Sequence, residues 1–201
     1  DTPDLMTWHG GYELNALIKT NALSPLDDCF SEEDWKRDFI RSLIDLGAVS
    51  GKQYFLPFTW TWWTLYYNKN IFSQYKLTLP QTWPELIETC EQLKEKGIIP
   101  ISLAGKDPAY TANWLEYINA IKHGWQVHEN FLSGGISYTD NRIKESVDIF
   151  ANMLMGNYFE TNPTTYDSKD SIILLLKGKA GLCLAPRFEM EQLAPEDKKK
   201  V

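Results

Sequence analysis

The chain lacks the features that mark membrane-spanning and nucleic-acid-binding proteins. Its longest apolar run, residues 172–176, has five residues, whereas a spanning helix needs roughly 20. Basic residues are outnumbered, 20 against 27, and the formal net charge of −7 argues against a surface that neutralises phosphates. The remaining composition, 43% hydrophobic and 23% charged residues, is typical of a globular protein.

Cysteine and histidine are scarce, with three residues of each. Cys29, Cys90 and Cys183 lie far apart and form no C-x-x-C pair, so we expect small buried hydrophobic residues rather than disulfides or a zinc site. His123 and His128 are five positions apart, the wrong offset for one face of a helix. We therefore predict no metal and no cofactor.

Aromatic residues, in contrast, are concentrated in one segment: they fill eight of the 14 positions 54–67. A core rarely needs three tryptophans so close together, because each buried indole N–H requires a partner. If this segment is extended, Trp60, Trp62 and Tyr66 point to one face and Trp63 to the other. We predict that Trp60 and Trp62 contact a ligand, with core packing as the alternative, and that Trp63, Tyr66 and Tyr67 belong to the core.

Strand patterns alternate with helical patterns, which predicts an α/β fold with largely parallel strand pairing. Strands or extended runs are expected over 5–8, 53–58, 61–68, 98–103 and 180–185. Helices are expected over 12–21, 70–75, 82–96, 110–122, 139–154, 168–177 and 188–193, and one more from an N-cap at Ser31 through Ile44. Thr82 and Glu85 predict a capping box.

Charge is distributed unevenly, which suggests two lobes. Residues 1–57 carry a net charge of −5, and residues 58–201 carry −2. The shift falls inside the aromatic segment, so we expect the lobes to meet near residue 58.

Six motifs follow one another in order through nearly the whole chain. They are PDLMTWHGG at 3–11, GKQYFLPF at 51–58, LYYNKNIF at 65–72, LPQTWPEL at 79–86, GIIPI at 97–101 and KGKAG at 177–181. Their order and spacing resemble family 1 of the extracellular solute-binding proteins of carbohydrate ABC transporters, the family of maltose-binding protein. The resemblance implies a periplasmic-binding-protein-like, two-lobe α/β fold that closes over a sugar.

The resemblance also implies that the chain is an internal fragment, with residues 1–57 as part of the N-terminal lobe and 58–201 as the hinge crossover and most of the C-terminal lobe. The implied function is the sugar-binding component of an importer, not an enzyme. Its partners would be a mono- or oligosaccharide and the ABC transporter permease subunits, without nucleic acid. A periplasmic or extracellular monomer, with or without a lipid anchor, is expected.

Two alternative functions remain open at the level of sequence. A glycoside-active enzyme would also combine aromatic plates with carboxylates, but it needs a pair of acids flanking one bond, and no closely spaced acid pair lies beside the aromatic segment. A sensor or a binding protein for a non-sugar anionic solute is the other alternative.

The first lobe offers four predicted ligand contacts. Trp8, His9 and Gly10 lie where a predicted strand meets a helix, the usual ligand crevice of open α/β sheets. Glu13 could accept hydrogen bonds from sugar hydroxyls, or it could merely favour the helix dipole.

The second lobe offers four more, on the strength of the resemblance. Asp107 matches an acidic loop residue of similar proteins, or it only forms the turn before the helix, and Trp114 matches an aromatic residue against the ligand. Arg187 stands where many relatives have a stacking tryptophan, which leaves room for an acidic or otherwise polar saccharide. In the cleft it would need an anionic ligand group or an acidic neighbour such as Glu189 or Asp107. The alternative is that Arg187 turns outward and Phe188 takes the aromatic role.

Overall fold

The computed structural model describes residues 3–10, 12–29 and 32–201. The chain divides into two compact units, Asp1–Trp60 and Thr61–Val201. Across the described residues no helix is both long enough and apolar enough to cross a membrane.

The first unit contains three short helices and a hairpin. They are α1 (Tyr12–Ile18), α2 (Glu32–Asp38), α3 (Arg41–Asp45), β1 (Ala48–Val49) and β2 (Lys52–Gln53), with β1 and β2 antiparallel. The two residues between the strands, Ser50 and Gly51, both have positive φ, as a tight hairpin turn requires. Leu14 and Ile44 are buried.

Two predictions for this unit are wrong. Residues 5–8 form no strand, and Leu5 is 90% exposed. No described strand of the unit pairs with this segment, so its backbone groups form no strand ladder. The single helix predicted from Ser31, a residue outside the described part, is instead two helices, because Ile40 has an extended backbone with ψ of 127°.

The second unit is built on a three-stranded sheet with the order β3-β5-β4. The strands are β3 (Trp63–Tyr67), β4 (Ile99–Ser102) and β5 (Ala180–Pro186). β4 runs parallel to β5, but β3 runs antiparallel to it. The α/β class is therefore confirmed, whereas the expectation of largely parallel pairing holds for only one of these two strand pairs.

Eight helices and one 3₁₀ turn in the described part of the chain surround this sheet. The helices are α4 (Lys69–Tyr75), α5 (Trp83–Glu95), α6 (Pro108–His123), α7 (Trp125–Leu132), α8 (Asn141–Met155), α9 (Ser168–Leu176), α10 (Arg187–Glu191) and α11 (Pro195–Lys198), and the 3₁₀ turn is Pro163–Thr165. All but α7 and α11 were predicted to within a few residues. Thr82 caps α5 by accepting from the Glu85 N–H, while the Glu85 carboxylate accepts from the Gln81 N–H, one residue before the position that a capping box uses.

The core lies on both faces of β5, whose seven residues are all buried. Leu182 and Leu184 face one cluster, which includes Leu93 and Trp114. The alternate residues, Cys183 and Ala185, face a second cluster with Ile172, Leu175 and Met190. A strand buried on both faces is uniformly apolar, as this one is.

The cysteines follow the prediction in two cases out of three. Cys90 and Cys183 are buried, and burial raises the pKa of each thiol to about 12. Cys29 is exposed, contrary to the expectation of a buried residue.

Candidate functional site

The topology of the second unit brings three chain segments to one edge of its sheet. Since β4 and β5 are parallel and β3 is antiparallel to them, β4 and β5 end where β3 begins. We call this side the carboxyl edge; it carries Trp62 before β3, the loop 103–107 after β4, and α10 after β5. In open α/β sheets, ligands bind outside the carboxyl ends of the strands.

Trp62 and Arg187 are in direct contact at this edge. The backbone N–H of Arg187 donates to the carbonyl oxygen of Trp62 at 3.0 Å. The Arg187 guanidinium lies over the indole ring of Trp62, with its central carbon 4.3 Å from the ring centroid. An arginine stacked on an aromatic face keeps its N–H groups pointing outward along the guanidinium plane. The structure thus brings together two of the predicted site residues.

Glu191, not Glu189 or Asp107, is the acidic neighbour of Arg187. The Arg187 Nε donates to Glu191 Oε1 at 2.5 Å, one helical turn along α10. The sequence contained this signal as an i,i+4 pair. It was missed because the helix was predicted to begin at Phe188, which left Arg187 outside it.

An open groove of about 370 Å³ adjoins this pair. We call it the α10 groove; its lining is Trp62, Tyr66, Arg187, Met190, Glu191, Lys198 and Val201. Trp62 and Tyr66 share one face of the extended segment, as predicted, whereas Trp63 packs against the cluster on the other face. Tyr66 also packs against the core cluster that contains Met190.

Asp107 and Glu189 are engaged elsewhere at the carboxyl edge. The Asp107 carboxylate caps α6 by accepting from the Ala109 N–H at 2.9 Å. Glu189 accepts a hydrogen bond from the Tyr110 hydroxyl at 2.5 Å, and burial together with this bond raises the pKa of Tyr110. The Tyr110 ring packs edge-on against the Trp63 ring, with the ring centroids 4.8 Å apart. Tyr110 was not singled out from the sequence, although it lies in the first turn after the Asp107-Pro108 signal.

The prediction for Trp114 is wrong. Trp114 is only 2% exposed. Its ring packs edge-on against Phe159 inside the core, with the ring centroids 5.7 Å apart. Its position on α6 turns it toward the sheet, so its ring is not presented to solvent. We therefore withdraw it as a ligand contact.

The other predicted contacts are exposed, and their roles stay predictions. Trp8, His9, Gly10 and Glu13 are exposed in the first unit. Trp60, which ends that unit, is 53% exposed. In the second unit Trp62 is 39% exposed, and Phe188 is also exposed without lining the α10 groove.

A buried carboxylate that was not predicted lies beside the same edge. Glu160 is 5% exposed, and both of its carboxylate oxygens accept from the Leu103 N–H, at 3.1 and 3.0 Å. Burial raises its pKa to about 7. Since Leu103 begins the loop 103–107, this carboxylate fixes the start of the segment that carries Asp107. Within the described residues, no group of three or more His, Cys, Asp or Glu side chains is placed to hold a metal ion.

Comparison with solved structures identifies the class of fold. The chain matches a chitin oligosaccharide binding protein with a TM-score of 0.81 over 95% of its length, at 21% sequence identity. The match covers 48% of that protein. This likeness shows that the chain has the fold of the two-lobe periplasmic solute-binding proteins and confirms the predicted fold class.

The sequence comparisons identify the family. The family model described as bacterial extracellular solute-binding protein matches residues 1–200, so the chain belongs to this family. It is 27% identical over 185 residues to an uncharacterised ABC transporter extracellular-binding protein of Pyrococcus horikoshii, covering 90% of this chain and 41% of that protein. It is 28% identical over 127 residues to the diacetylchitobiose binding protein of Streptomyces coelicolor, covering 61% of this chain and 27% of that protein. The chain thus spans less than half the length of these relatives. The family consists of solute-binding proteins rather than enzymes.

Proposed function

We propose that the protein carrying this chain is the sugar-binding component of an ABC importer. It captures a mono- or oligosaccharide by hinged closure of two lobes and delivers it to the membrane permease subunits. Residues 1–57 would belong to the N-terminal lobe, and 58–201 would form the hinge crossover and most of the C-terminal lobe. The protein would act as a monomer in the periplasm or outside the cell, with a lipid anchor as one means of retention.

The observation that carries this proposal is the composition of the carboxyl edge. A pyranose has apolar C–H faces and a rim of hydroxyls, so it is held by aromatic plates and by paired polar groups. Trp62 is 39% exposed with the Arg187 guanidinium over one face of its indole, and Arg187 and Glu191 supply hydrogen-bond donors and acceptors. The names of two relatives, which bind diacetylchitobiose and chitin oligosaccharides, support a saccharide as the ligand.

The remaining ligand contacts are proposed on exposure and position. Trp8, His9, Gly10 and Glu13 would serve the first lobe. Trp60, Asp107 and Phe188 would join Trp62 and Arg187 in the crossover and the second lobe.

Calorimetry of the full-length protein against a panel of neutral and acidic glycans tests the proposal. We expect a bound sugar to be recovered intact, because the protein captures its ligand without chemistry. Trp60→Ala and Trp62→Ala should each weaken binding about tenfold or more, since burial of such a plate contributes on the order of 1–3 kcal/mol. Both side chains are substantially exposed, so the melting temperature should hardly change.

Trp125→Ala is the matched control, because Trp125 is 64% exposed on α7 and does not line the α10 groove. Its removal should leave binding unchanged. Recovery of a cleaved sugar would instead favour a glycoside-active enzyme. A large loss of melting temperature with intact binding in the Trp60 or Trp62 variant would show that these side chains only support the core.

A further inference from the structure

We propose that Glu191 makes the second lobe select neutral over acidic sugars, by occupying the guanidinium of Arg187. This inference rests on the proposed function and names its substrate class. A guanidinium at the ligand surface by itself favours a carboxylate, which it can bind through two parallel N–H bonds. The three-residue arrangement of Trp62, Arg187 and Glu191 changes that preference.

The first step is that the guanidinium is held in place before any ligand arrives. The flat face of the Arg187 guanidinium lies on the Trp62 ring, with its central carbon 4.3 Å from the ring centroid. Glu191 Oε1 accepts from Arg187 Nε at 2.5 Å. No further hydrogen bond of the Arg187 side chain occurs with the described residues. Its two terminal nitrogens therefore remain available as donors at the edge of the α10 groove.

The second step is that the charge of Arg187 is already matched. The cost of enclosing an unpaired guanidinium is offset by Glu191, so no anionic ligand group is needed for this purpose. A ligand carboxylate on the terminal nitrogens would lie within about 6 Å of the Glu191 carboxylate, a distance at which like charges disfavour each other. The negative charge of Glu191 thus disfavours binding of a ligand carboxylate at Arg187.

The third step is that the pair suits two neighbouring hydroxyls. A hydroxyl both donates and accepts, so one sugar hydroxyl can accept from Arg187 while the next donates to Glu191. Both requirements are met by a neutral pyranose without adding charge to the groove. A ligand carboxylate in place of either hydroxyl only accepts, so it can bind Arg187 but cannot donate to Glu191.

Lys198 adds a second positive charge to the groove, which matters when the charge of Glu191 is removed. Its side chain lines the α10 groove with Arg187 and Glu191. Removing the negative charge leaves two cations in the groove, which then favours a carboxylate. Specificity here is a difference between two affinities, set by a repulsive element as much as by attractive ones.

The test is to measure the dissociation constants of neutral oligosaccharides and of their uronic-acid counterparts for the full-length protein and for Glu191→Gln. We expect the wild type to bind the neutral members more tightly. In Glu191→Gln the ratio of acidic to neutral affinity should rise about tenfold, because the amide cannot pair with the guanidinium as a carboxylate does. The exposed ion pair contributes little to stability, so this variant should fold normally.

Glu196→Gln is the control, because it removes one negative charge from exposed α11 at a residue that does not line the groove. If the ratio of acidic to neutral affinity rises equally in Glu196→Gln, the effect comes from net charge and the role of Glu191 is overturned. Wild type that prefers acidic sugars, with no change in Glu191→Gln, would overturn the inference while leaving the proposed function intact. Failure of all the sugars to bind would overturn both.

Discussion

Glu160 places a carboxylate in the interior of the second unit, and no cationic side chain among the described residues is paired with it. Its two oxygens share the single N–H of Leu103, and burial raises its pKa to about 7. Desolvation disfavours the charged carboxylate more than this hydrogen bond stabilises it. The side chain therefore orders the loop 103–107 but costs stability when it is ionised.

The pH dependence of unfolding follows from this shift. Below the ordinary value of 4.5 the carboxyl is protonated in both states, whereas between 4.5 and about 7 the folded state holds the proton more tightly. Its contribution to the free energy of unfolding therefore falls as the pH rises through this window. Glu160→Gln should remove this fall and be more stable than the wild type at pH 8.

Urea unfolding of both proteins at pH 5 and pH 8 measures the difference, with exposed Glu196→Gln as the control for a lost charge. The Gln variant keeps a carbonyl oxygen that can accept from Leu103, so the loop should be preserved. An equal pH dependence in the wild type and in Glu160→Gln would show that Glu160 is ionised at little cost.

Residue identity alone predicted some of these positions and not others. Clustered tryptophans revealed exposed side chains at Trp60 and Trp62, because a core has little use for so many indoles together. Trp114 could not be separated from them by type, since its burial depends on which side of α6 faces the sheet. Glu160 gave no signal, because nothing in its local sequence predicts that it folds beneath the loop after β4.

At the scale of secondary-structure elements, the start of α6 combines a structural and a proposed binding role. Asp107 caps the helix, and its exposed carboxylate lies in the loop at the carboxyl edge. Substitution can separate the two roles, because serine also caps helices but carries no charge. Asp107→Ala removes both the cap and the charge.

Asp107→Ala should lower the free energy of unfolding by about 1 kcal/mol, whereas Asp107→Ser should lower it by much less. If the carboxylate contacts the sugar, as proposed, both variants should bind more weakly in calorimetry. Wild-type affinity in the serine variant would restrict Asp107 to capping. The alanine variant then serves as the control for the effect of the cap on loop geometry.

Helix boundaries were largely predictable because their signals are local. Thr82 and Gly97 bracket α5, and Gly97 has the positive φ that suits a residue just past a helix end. The helix α7 was not predicted because Gly124 is both the C-cap of α6 and the N-cap of α7. A glycine at this position indicates the end of a helix but gives no signal that another begins. The antiparallel direction of β3 could not be predicted from local sequence, because it depends on pairing with β5, which is distant in the chain.

At the scale of the whole molecule, hinged closure requires that ligand contacts be divided between two bodies. The proposed contacts Trp8 and His9 lie in the unit Asp1–Trp60, and Trp62 and Arg187 lie in the unit Thr61–Val201. The family resemblance predicted this division of labour from the order of the motifs. Local patterns supplied only the shift in charge near residue 58, because helix and strand signals do not say which segments contact one ligand. The assignment of the units to lobes remains a prediction.

A ligand shifts an equilibrium between open and closed forms only by its difference in affinity for the two. A sugar that contacts both lobes binds the closed form more tightly, so saturating sugar should reduce the radius of gyration of the full-length protein in small-angle X-ray scattering. Trp62→Ala should keep the unliganded radius and require about tenfold more sugar to reach the compact form, since one plate is lost but the hinge is unchanged. Trp125→Ala should follow the wild-type curve. Stoichiometric sugar binding with an unchanged radius would contradict closure and indicate a rigid site contained in one lobe.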